Sequence, residues 1–189
     1  AVMVEFLQQE RIDILFCIGG DGTQRGAHSI AEEIARRNLP IAIVGIPKTI
    51  DNDIQYVNRT FGFVTALSEA EKVIDGAHAE AKATLNGVGL VKLMGREAGF
   101  IAAGAALANG QVDFVLIPEI PFRMDGEDGL LAKLRRRLHR FEHAVIVVAE
   151  GAGQDLLADR PESRDPSGNR RLGDIGLFLK DEINAYFTG

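Results

Sequence analysis

Two short polar segments, each preceded by an apolar run, carry the residues best suited to chemistry. The first, Gly19–Thr23, reads Gly-Gly-Asp-Gly-Thr and follows the run Ile12–Ile18. Its glycines permit close backbone approach and positive φ, so that successive N–H groups can line an anion site at the start of a helix. Asp21 can hold Mg²⁺ through its carboxylate, and Thr23 can cap the helix or bind phosphate. No Gly-Lys-Ser/Thr follows, so this is not a Walker loop, and read alone it is equally compatible with a tight turn.

The second segment, Pro47–Asp53, follows the run Ile41–Ile46 and reads Pro-Lys-Thr-Ile-Asp-Asn-Asp. Packing does not explain its polar residues, because Ile50 is its only aliphatic side chain besides the proline. Asp51 and Asp53 are paired carboxylates. Beside a magnesium and phosphate site, one of them could act as a general base toward a hydroxyl and the other as a metal ligand or orienting group. The alternative is an Asx-rich turn with a helix cap. The functional interpretation is favoured because both segments follow strands that are consecutive in sequence.

The elements that position these segments alternate along the chain. Short apolar runs without polar alternation are typical of strands covered on both faces; they are Ile12–Ile18, Ile41–Ile46, Val88–Leu93, Phe114–Ile117 and Ala144–Ala149. Helical spacing predicts the segments between and around them as helices: Val2–Gln9, Gln24–Arg37, Phe61–Ala83, Ala98–Leu107, Leu130–Phe141 and Gly176–Tyr186. This order predicts an α/β fold, a doubly wound and mainly parallel sheet with helices on both faces, whose ligands lie beyond the carboxyl ends of the strands. The Pro-rich and charged stretch Asp155–Arg170 is predicted to be a mobile surface loop.

Composition excludes several classes of function. A formal net charge of -6 and a pI near 5.3 argue against a nucleic-acid or anionic-membrane binder. The basic run Lys133–Arg140 is predicted to be a solvated helix face. No apolar stretch approaches the ~20 residues that span a bilayer. The single cysteine, Cys17, lies in an apolar run, where a buried inert thiol is expected, and this fits a reducing cytoplasm.

The two segments and two later ones together resemble the phosphofructokinase family. Gly20–Thr23, Pro47–Asp53, Met94–Arg96 and Ala149–Gly151 occur in the order and approximate separations of that family, across essentially the whole chain. The glycine loop is shared with other kinases, whereas the second segment together with Met-Gly-Arg is highly specific. The resemblance implies the phosphofructokinase fold and transfer of a phosphoryl group to the 1-hydroxyl of fructose 6-phosphate, giving fructose 1,6-bisphosphate in glycolysis.

The resemblance also implies roles for the residues of the first two segments. Asp51 matches the catalytic base, which takes the proton from the 1-hydroxyl of the sugar. Thr49 and Ile50 match contacts with the sugar phosphate. Asp21 matches the aspartate linked to Mg²⁺, and Asp53 matches a second acidic residue near the metal.

Further roles are implied for the later segments. Met94, Gly95 and Arg96 match the stretch that touches the sugar and, through the arginine, the transferring phosphoryl group. Glu150 matches the carboxylate that accepts hydrogen bonds from sugar hydroxyls. Phosphoryl transfer needs in-line positioning and neutralisation of charge, and one base, Mg²⁺ and one cation supply these.

The resemblance implies that the donor is bound by Gly20, Asp21, Gly22, Thr23 and Lys48. Two of these residues, Gly22 and Lys48, bear on which donor is used. Gly22 matches the small residue that leaves space for the α-phosphate of ATP, where pyrophosphate users carry an aspartate. Lys48 is typical of pyrophosphate users. An acidic side chain at position 22 would repel and block a nucleotide, whereas a lysine adds positive charge near either donor. We therefore expect ATP rather than pyrophosphate.

The resemblance implies a donor-binding domain over residues 1–85 and a sugar-phosphate domain over residues 86–189, both partial. No glycine-rich loop precedes Val2, and no further arginine and histidine segment follows Gly189, so both ends of the full protein are expected to be missing. The resemblance further implies a cytoplasmic homo-oligomer, a dimer or tetramer.

Two alternatives stay open. One is a nicotinamide-nucleotide or lipid kinase, which lacks the second segment and the Met-Gly-Arg, and the other is a non-catalytic regulatory subunit, against which the intact Asp21, Asp51 and Arg96 count.

Overall fold

The computed structural model describes residues 2–157 and 171–188, which form two compact units, Ala1–Phe63 and Val64–Gly189. Every helix and strand that the hydrophobic pattern predicts is present in the described residues, with its ends moved by no more than a few positions. The second unit begins at Val64, because the long helix that begins at Phe63 packs on the sheet of that unit. Most of the predicted loop Asp155–Arg170 lies outside the described residues.

The first unit is built on two parallel strands. Its elements are α1 (Val2–Gln9), β1 (Ile14–Gly19), α2 (Asp21–Arg36) and β2 (Ala42–Pro47). The strands pair in register from Ile14 opposite Ala42 to Gly19 opposite Pro47, so their carboxyl ends lie side by side. Val4 and Leu7 of α1 and Ile34 of α2 are buried together, with Leu15 and Ile43 packed against them. Both helices of this unit therefore cover the same face of the strand pair.

The alternation of exposure along β1 follows from this one-sided cover. Phe16 and Ile18 are each 58% exposed, whereas Leu15 is half-buried. A strand shows this alternation when one of its two faces is packed. The strands of this unit were expected to be covered on both faces, but helices cover only one of them.

The second unit contains a three-stranded parallel sheet with helices on both faces. Its elements are α3 (Phe63–Lys82), β3 (Gly87–Leu93), α4 (Phe100–Asn109), β4 (Phe114–Leu116), α5 (Leu130–Phe141), β5 (His143–Ala149) and α6 (Ile175–Thr188). The strand order is β3-β5-β4, all parallel. Ile146 of the central strand is fully buried among α5 and α6, whereas Val145 and Val147 are fully buried among α3 and α4. The α/β prediction with helices on both faces is confirmed here.

Two glycines allow α3 to lie directly on β3. A Cβ at Gly89 would meet the carbonyl oxygen of Ala77 at 2.8 Å, and a Cβ at Gly87 would overlap the backbone of Ala81. Side chains at these positions would lift the helix from the strand. The contact fixes the strand whose carboxyl end carries Met94–Arg96.

Three further predictions have an outcome in this structure. In the part of the chain that the structure describes, no helix is long and apolar enough to cross a membrane. Cys17 is half-buried rather than buried. The basic face of α5 is confirmed as exposed at Arg135 and Arg136, whereas Arg137 is half-buried, pairs with Asp113 at 3.0 Å and lies 3.8 Å from the centre of the ring of a phenylalanine.

Candidate active site

The glycine loop forms the end of β1 and the first turn of α2. The helix begins at Asp21 rather than at the predicted Gln24, and Gly20 is its N-cap without any side-chain hydrogen bond. The prediction that Thr23 caps the helix is wrong, because Thr23 lies inside the first turn. A glycine cap supplies no acceptor to the first N–H groups of the helix, and such groups bind anions readily. The arrangement suits a phosphate at the start of α2.

Among the glycines of this loop, only Gly19 is required by a close contact. None of the three adopts the positive φ that a glycine permits. A Cβ at Gly19 would overlap the side chain of Thr23, and a Cβ at Gly20 would be in ordinary contact with Thr49, 3.5 Å from its Cβ. A Cβ at Gly22 would meet nothing within 4 Å. Gly20 therefore brings the first loop against the second, and Gly22 faces open space.

The charged residues predicted to meet the donor are exposed. Asp21 forms an ion pair with Arg25 one turn later on α2, and half of its side chain is accessible. Lys48 and Asp53 are also exposed. Within the described residues no three or more His, Cys, Asp or Glu side chains group as a metal site. Mg²⁺ commonly needs only one or two carboxylates when phosphate oxygens complete its shell, so Asp21 fits as a carboxylate ligand of a metal that arrives with the donor.

The second loop folds around Thr49 and Asp51. The backbone N–H of Asp51 donates to Oγ1 of Thr49 over 3.2 Å, and both residues are half-buried. Ile50 is half-buried as well, and its methyl group lies 2.8 Å from the position of a Cβ on Gly62. A Thr side chain that accepts from the backbone two residues later forms a local turn. Thr49 thereby fixes the backbone from which the predicted base projects.

Asn52 stabilises this loop, a role that the sequence interpretation missed. Its φ of 58° is left-handed, a conformation that Asn tolerates better than most residues. Its Oδ1 accepts from the backbone N–H of Thr60 at 2.9 Å and from the hydroxyl of the same residue at 3.3 Å. Thr60 is only 5% exposed. The pair closes the loop that follows Asp53, and the Asx-turn preference of Asn was the signal that could have found it.

Gln24 was also missed, because it stands directly after the motif and has an ordinary polar side chain for a helix surface. Its amide nitrogen donates to the carbonyl oxygens of Gly19 and Ile46, each at 3.0 Å. The side chain thus joins the carboxyl ends of both strands of the first unit.

In the second unit the later two segments lie side by side at the carboxyl ends of β3 and β5. Leu93 and Ala149 are opposite each other in the sheet. Beyond them, the N–H of Glu150 donates to the carbonyl of Leu93 at 2.9 Å, and the N–H of Gly151 donates to the carbonyl of Gly95 at 3.0 Å. The hydrogen-bonding pattern therefore continues past the strands and aligns Arg96 and Glu150, both half-buried. Met94 is 56% exposed.

Glycines at two positions make this alignment possible. Gly95 has a φ of 133°, which a residue with a side chain rarely adopts. At Gly151 a Cβ would lie 2.6 Å from the carbonyl carbon of Arg96. A cavity of about 300 Å³ opens beside them, lined by residues that include Arg96, Pro118 and Gln154. Its charged lining residues are one cation, Arg96, and two carboxylates, Glu97 and Asp155.

Polar side chains hold the walls of this cavity. The amide of Gln154 donates to the carbonyls of Glu150 and Gly173, at 2.9 and 3.1 Å, and accepts from the N–H of Gly173 at 3.0 Å. Nearby, Asp174 accepts from Lys92 at 2.8 Å and from two N–H groups at the start of α6. The hydrogen bond from Lys92 is the main cause that lowers the pKa of Asp174, and backbone donors add to it. The first turn of α6 is therefore anchored to β3 by a charged carboxylate.

The structure thus brings the predicted residues together in two groups. The first unit joins the donor and base residues, which are Gly20, Asp21, Gly22, Thr23, Lys48, Thr49, Ile50, Asp51 and Asp53. The second unit joins the sugar-phosphate residues, which are Met94, Gly95, Arg96 and Glu150. The first group combines a helix start that has no side-chain cap with carboxylates, and the second combines a cation with a carboxylate. Together these are the components of phosphoryl transfer to a hydroxyl.

Comparison with known proteins gives consistent relatives. Residues 1–187 match the family model described as phosphofructokinase. The chain is 51% identical over 191 residues to the ATP-dependent 6-phosphofructokinase of Borreliella burgdorferi, covering 98% of this chain and 43% of that protein. It is 53% identical over 187 residues to ATP-dependent 6-phosphofructokinase 7 of Arabidopsis thaliana, covering 98% of this chain and 39% of that protein. The chain therefore spans about two fifths of the length of these relatives.

Solved structures are similar in fold. Phosphofructokinase from Saccharomyces cerevisiae matches with a TM-score of 0.68 at 28% identity, over 97% of this chain and 25% of that one. A pyrophosphate-dependent phosphofructokinase from Nitrosospira multiformis matches with a TM-score of 0.71, over 97% of this chain and 44% of that one. Its 21% identity supports the fold alone.

Proposed function

Because the chain belongs to the phosphofructokinase family, we propose that the protein transfers the γ-phosphoryl group of ATP to the 1-hydroxyl of fructose 6-phosphate. One observation carries this proposal furthest. The glycine loop at the start of α2 meets the Pro47–Asp53 loop at Gly20 and Thr49, and Thr49 in turn binds the backbone of Asp51. A phosphate site and a carboxylate that can act as a base are therefore neighbours in one unit.

Each predicted residue has a defined task in this reaction. Asp51 acts as the general base and takes the proton of the attacking hydroxyl. The N–H groups of the first turn of α2 bind donor phosphate. Arg96 neutralises charge on the transferring group, and Glu150 accepts hydrogen bonds from sugar hydroxyls. Mg²⁺, when bound with the donor, supplies charge neutralisation between the phosphates, and Asp21 and Asp53 are the carboxylates suited to hold it.

Support for ATP as the donor comes from Gly22. A side chain there would extend into open space at the start of α2, where the donor phosphates would bind. Lys48 is exposed and would attract either donor. Relatives about half identical to this chain are named ATP-dependent, in agreement with the expectation from Gly22. We further propose a cytoplasmic homo-oligomer, a dimer or tetramer, on the basis of the family resemblance.

The test is formation of fructose 1,6-bisphosphate by the full-length protein, measured with ATP and with pyrophosphate as alternative donors. We expect turnover with ATP, and we expect Gly22→Asp to abolish it, because a carboxylate at that position would repel and obstruct the nucleotide phosphates. Gly26→Ala, on the same helix and also facing open space, is the control and should keep ATP activity. Turnover with pyrophosphate alone would reassign the donor, and turnover with neither donor would favour a regulatory subunit. ATP activity retained by Gly22→Asp would refute the steric argument.

A further inference from the structure

The side chain of Gln24 makes an unusual set of contacts for a helix residue next to a motif. Its Nε2 donates to the carbonyl oxygens of Gly19 and Ile46 at 3.0 Å, with that of Cys17 farther away at 3.4 Å. All three acceptors are carbonyl oxygens, so the nitrogen end of the amide must face them. An amide that satisfies main-chain acceptors on two strands is a cross-link and not a solvated surface group.

The cross-link is placed where the two catalytic loops begin. Gly19 is the last residue of β1, and Ile46 precedes the last residue of β2. The carbonyl of Gly19 also accepts the backbone N–H of Lys48 at 2.8 Å. The backbone N–H of Gln24 donates to the carbonyl of Gly20 at 3.0 Å, which fixes the first turn of α2. A single residue therefore connects the end of β1, the end of β2 and the start of the helix.

The other end of the amide is matched to a glycine. The Oε1 of Gln24 lies against Gly45, and a Cβ at that position would overlap it. No positive φ explains a glycine there, and a glycine inside a strand weakens the strand. The space it leaves for Gln24 gives a physical reason for a residue that is otherwise unfavourable at this position.

We propose that Gln24 is a positioning residue for phosphoryl transfer, one that holds the loops of Asp21 and Asp51 at a fixed separation without touching the substrates. The proposal rests on the proposed function. Its physical basis is that transfer requires the reacting groups within a narrow range of geometry, and a displacement of about 1 Å can lower the rate roughly 100-fold. The glycine loop and the Pro47–Asp53 loop depend on strand ends that Gln24 joins.

The kinetic test compares Gln24→Ala with Gln9→Ala, an exposed glutamine of α1, in the full-length protein. We expect Gln24→Ala to lower kcat per folded molecule roughly 10- to 100-fold while the KM for fructose 6-phosphate changes less than about threefold, since the lost interaction acts on geometry and not on sugar binding. Gln9→Ala should match the wild type. A purely structural role would lower the melting temperature and leave kcat per folded molecule unchanged, and that result would overturn the proposal.

A stability cycle tests the same contact without any activity measurement. Gly45→Ala should lower the melting temperature of the otherwise wild-type protein, because the new methyl group displaces the amide of Gln24. The same substitution in the Gln24→Ala background should cost much less, since nothing remains to displace. Equal shifts in both backgrounds would show that Gln24 does not occupy this position and would refute the cross-link. If the wild type transfers phosphoryl groups from neither donor, the proposed function and the positioning role of Gln24 fail together, while the cycle still decides whether Gln24 joins the strands.

Discussion

Substitution of Gly151 by alanine is expected to impair catalysis through the backbone of Arg96. Gly151 follows Glu150 at the end of β5, and its N–H donates to the carbonyl of Gly95 at 3.0 Å. An added Cβ would overlap the carbonyl group of Arg96, with the carbonyl carbon at 2.6 Å. No flexible side chain can absorb this clash, because the atoms that it meets are main chain.

The magnitude follows from the size of the overlap. Ordinary contact for a Cβ begins at 3.4 Å, so the carbonyl carbon of Arg96 must recede by at least roughly 0.8 Å, and its carbonyl oxygen, which lies nearer, must recede further. A misplacement of about 1 Å in groups that align a reaction can cost roughly 100-fold in rate. We therefore expect Gly151→Ala to lower kcat/KM for fructose 6-phosphate roughly 10- to 100-fold.

The assay is the initial rate of fructose 1,6-bisphosphate formation by the full-length protein, with the melting temperature recorded for every variant. Gly76→Ala is the matched control, because Gly76 lies within α3 and a Cβ there meets nothing within 4 Å. This control should keep full activity and should not lower the melting temperature, since alanine is the better helix former. Wild-type kcat/KM in folded Gly151→Ala would refute the reasoning, because the overlap would then have been relieved without moving Arg96.

Three further predictions address the base, the pH dependence of stability and the core. Asp51→Asn should lower kcat by about 10² to 10⁴ with fructose 6-phosphate binding nearly unchanged, and a nearly unchanged kcat in steady-state assays would assign the base elsewhere. Burial, with smaller effects from nearby cations, lowers the pKa of His78 in the folded protein below its ordinary value of about 6.5. As the pH falls, the unfolded chain therefore binds a proton at His78 more readily than the folded chain does. Stability that depends on neutral His78 should therefore be lost progressively as the pH falls through and below about 6.5, and calorimetry should show a flatter fall in melting temperature for His78→Gln than for the exposed control His28→Gln. Leu134→Ala, at a fully buried position, should cost about 2–5 kcal/mol of unfolding free energy, whereas Leu107→Ala, at 87% exposure, should cost less than about 0.5 kcal/mol; denaturant titration would contradict this if the two costs were equal.

The elements could be predicted from the sequence because apolar periodicity directly reports burial. The predicted helix Leu130–Phe141 is α5 at both ends, since Leu134 and Leu138 lie on its buried face and its arginines on the other. The start of α2 could not be predicted in the same way. Gly22 is a poor helix former, yet the helix begins before it, with Gly20 as the N-cap directly after β1 and Asp21 in the first turn, where a carboxylate is favourable. The start of α2 is therefore set by the end of β1 and not by the helix propensity of the residues at that position.

The candidate site was predictable in its chemistry but not in its supports. Asp51 stands out because paired carboxylates after an apolar strand have no packing explanation, whereas Arg96 was expected only from the resemblance to the family. Gln24 and Gly45 do not stand out, because each is unremarkable until the other is placed beside it. A contact between residues on different elements leaves no periodic trace in one sequence. Supporting residues of this kind become visible only in three dimensions.

The choice of donor shows how a structure changes the weight of two sequence signals. Lys48 and Gly22 favoured opposite donors, and charge alone did not decide between them, because a lysine attracts ATP and pyrophosphate alike. The glycine loop uses no positive φ, so Gly22 is not needed for the turn itself. Yet a side chain at that position would meet nothing within 4 Å, so neither crowding nor strain requires a glycine there. The resemblance to the family implies that the small residue at this position leaves space for the α-phosphate of ATP, and the open space beside Gly22 is compatible with that expectation.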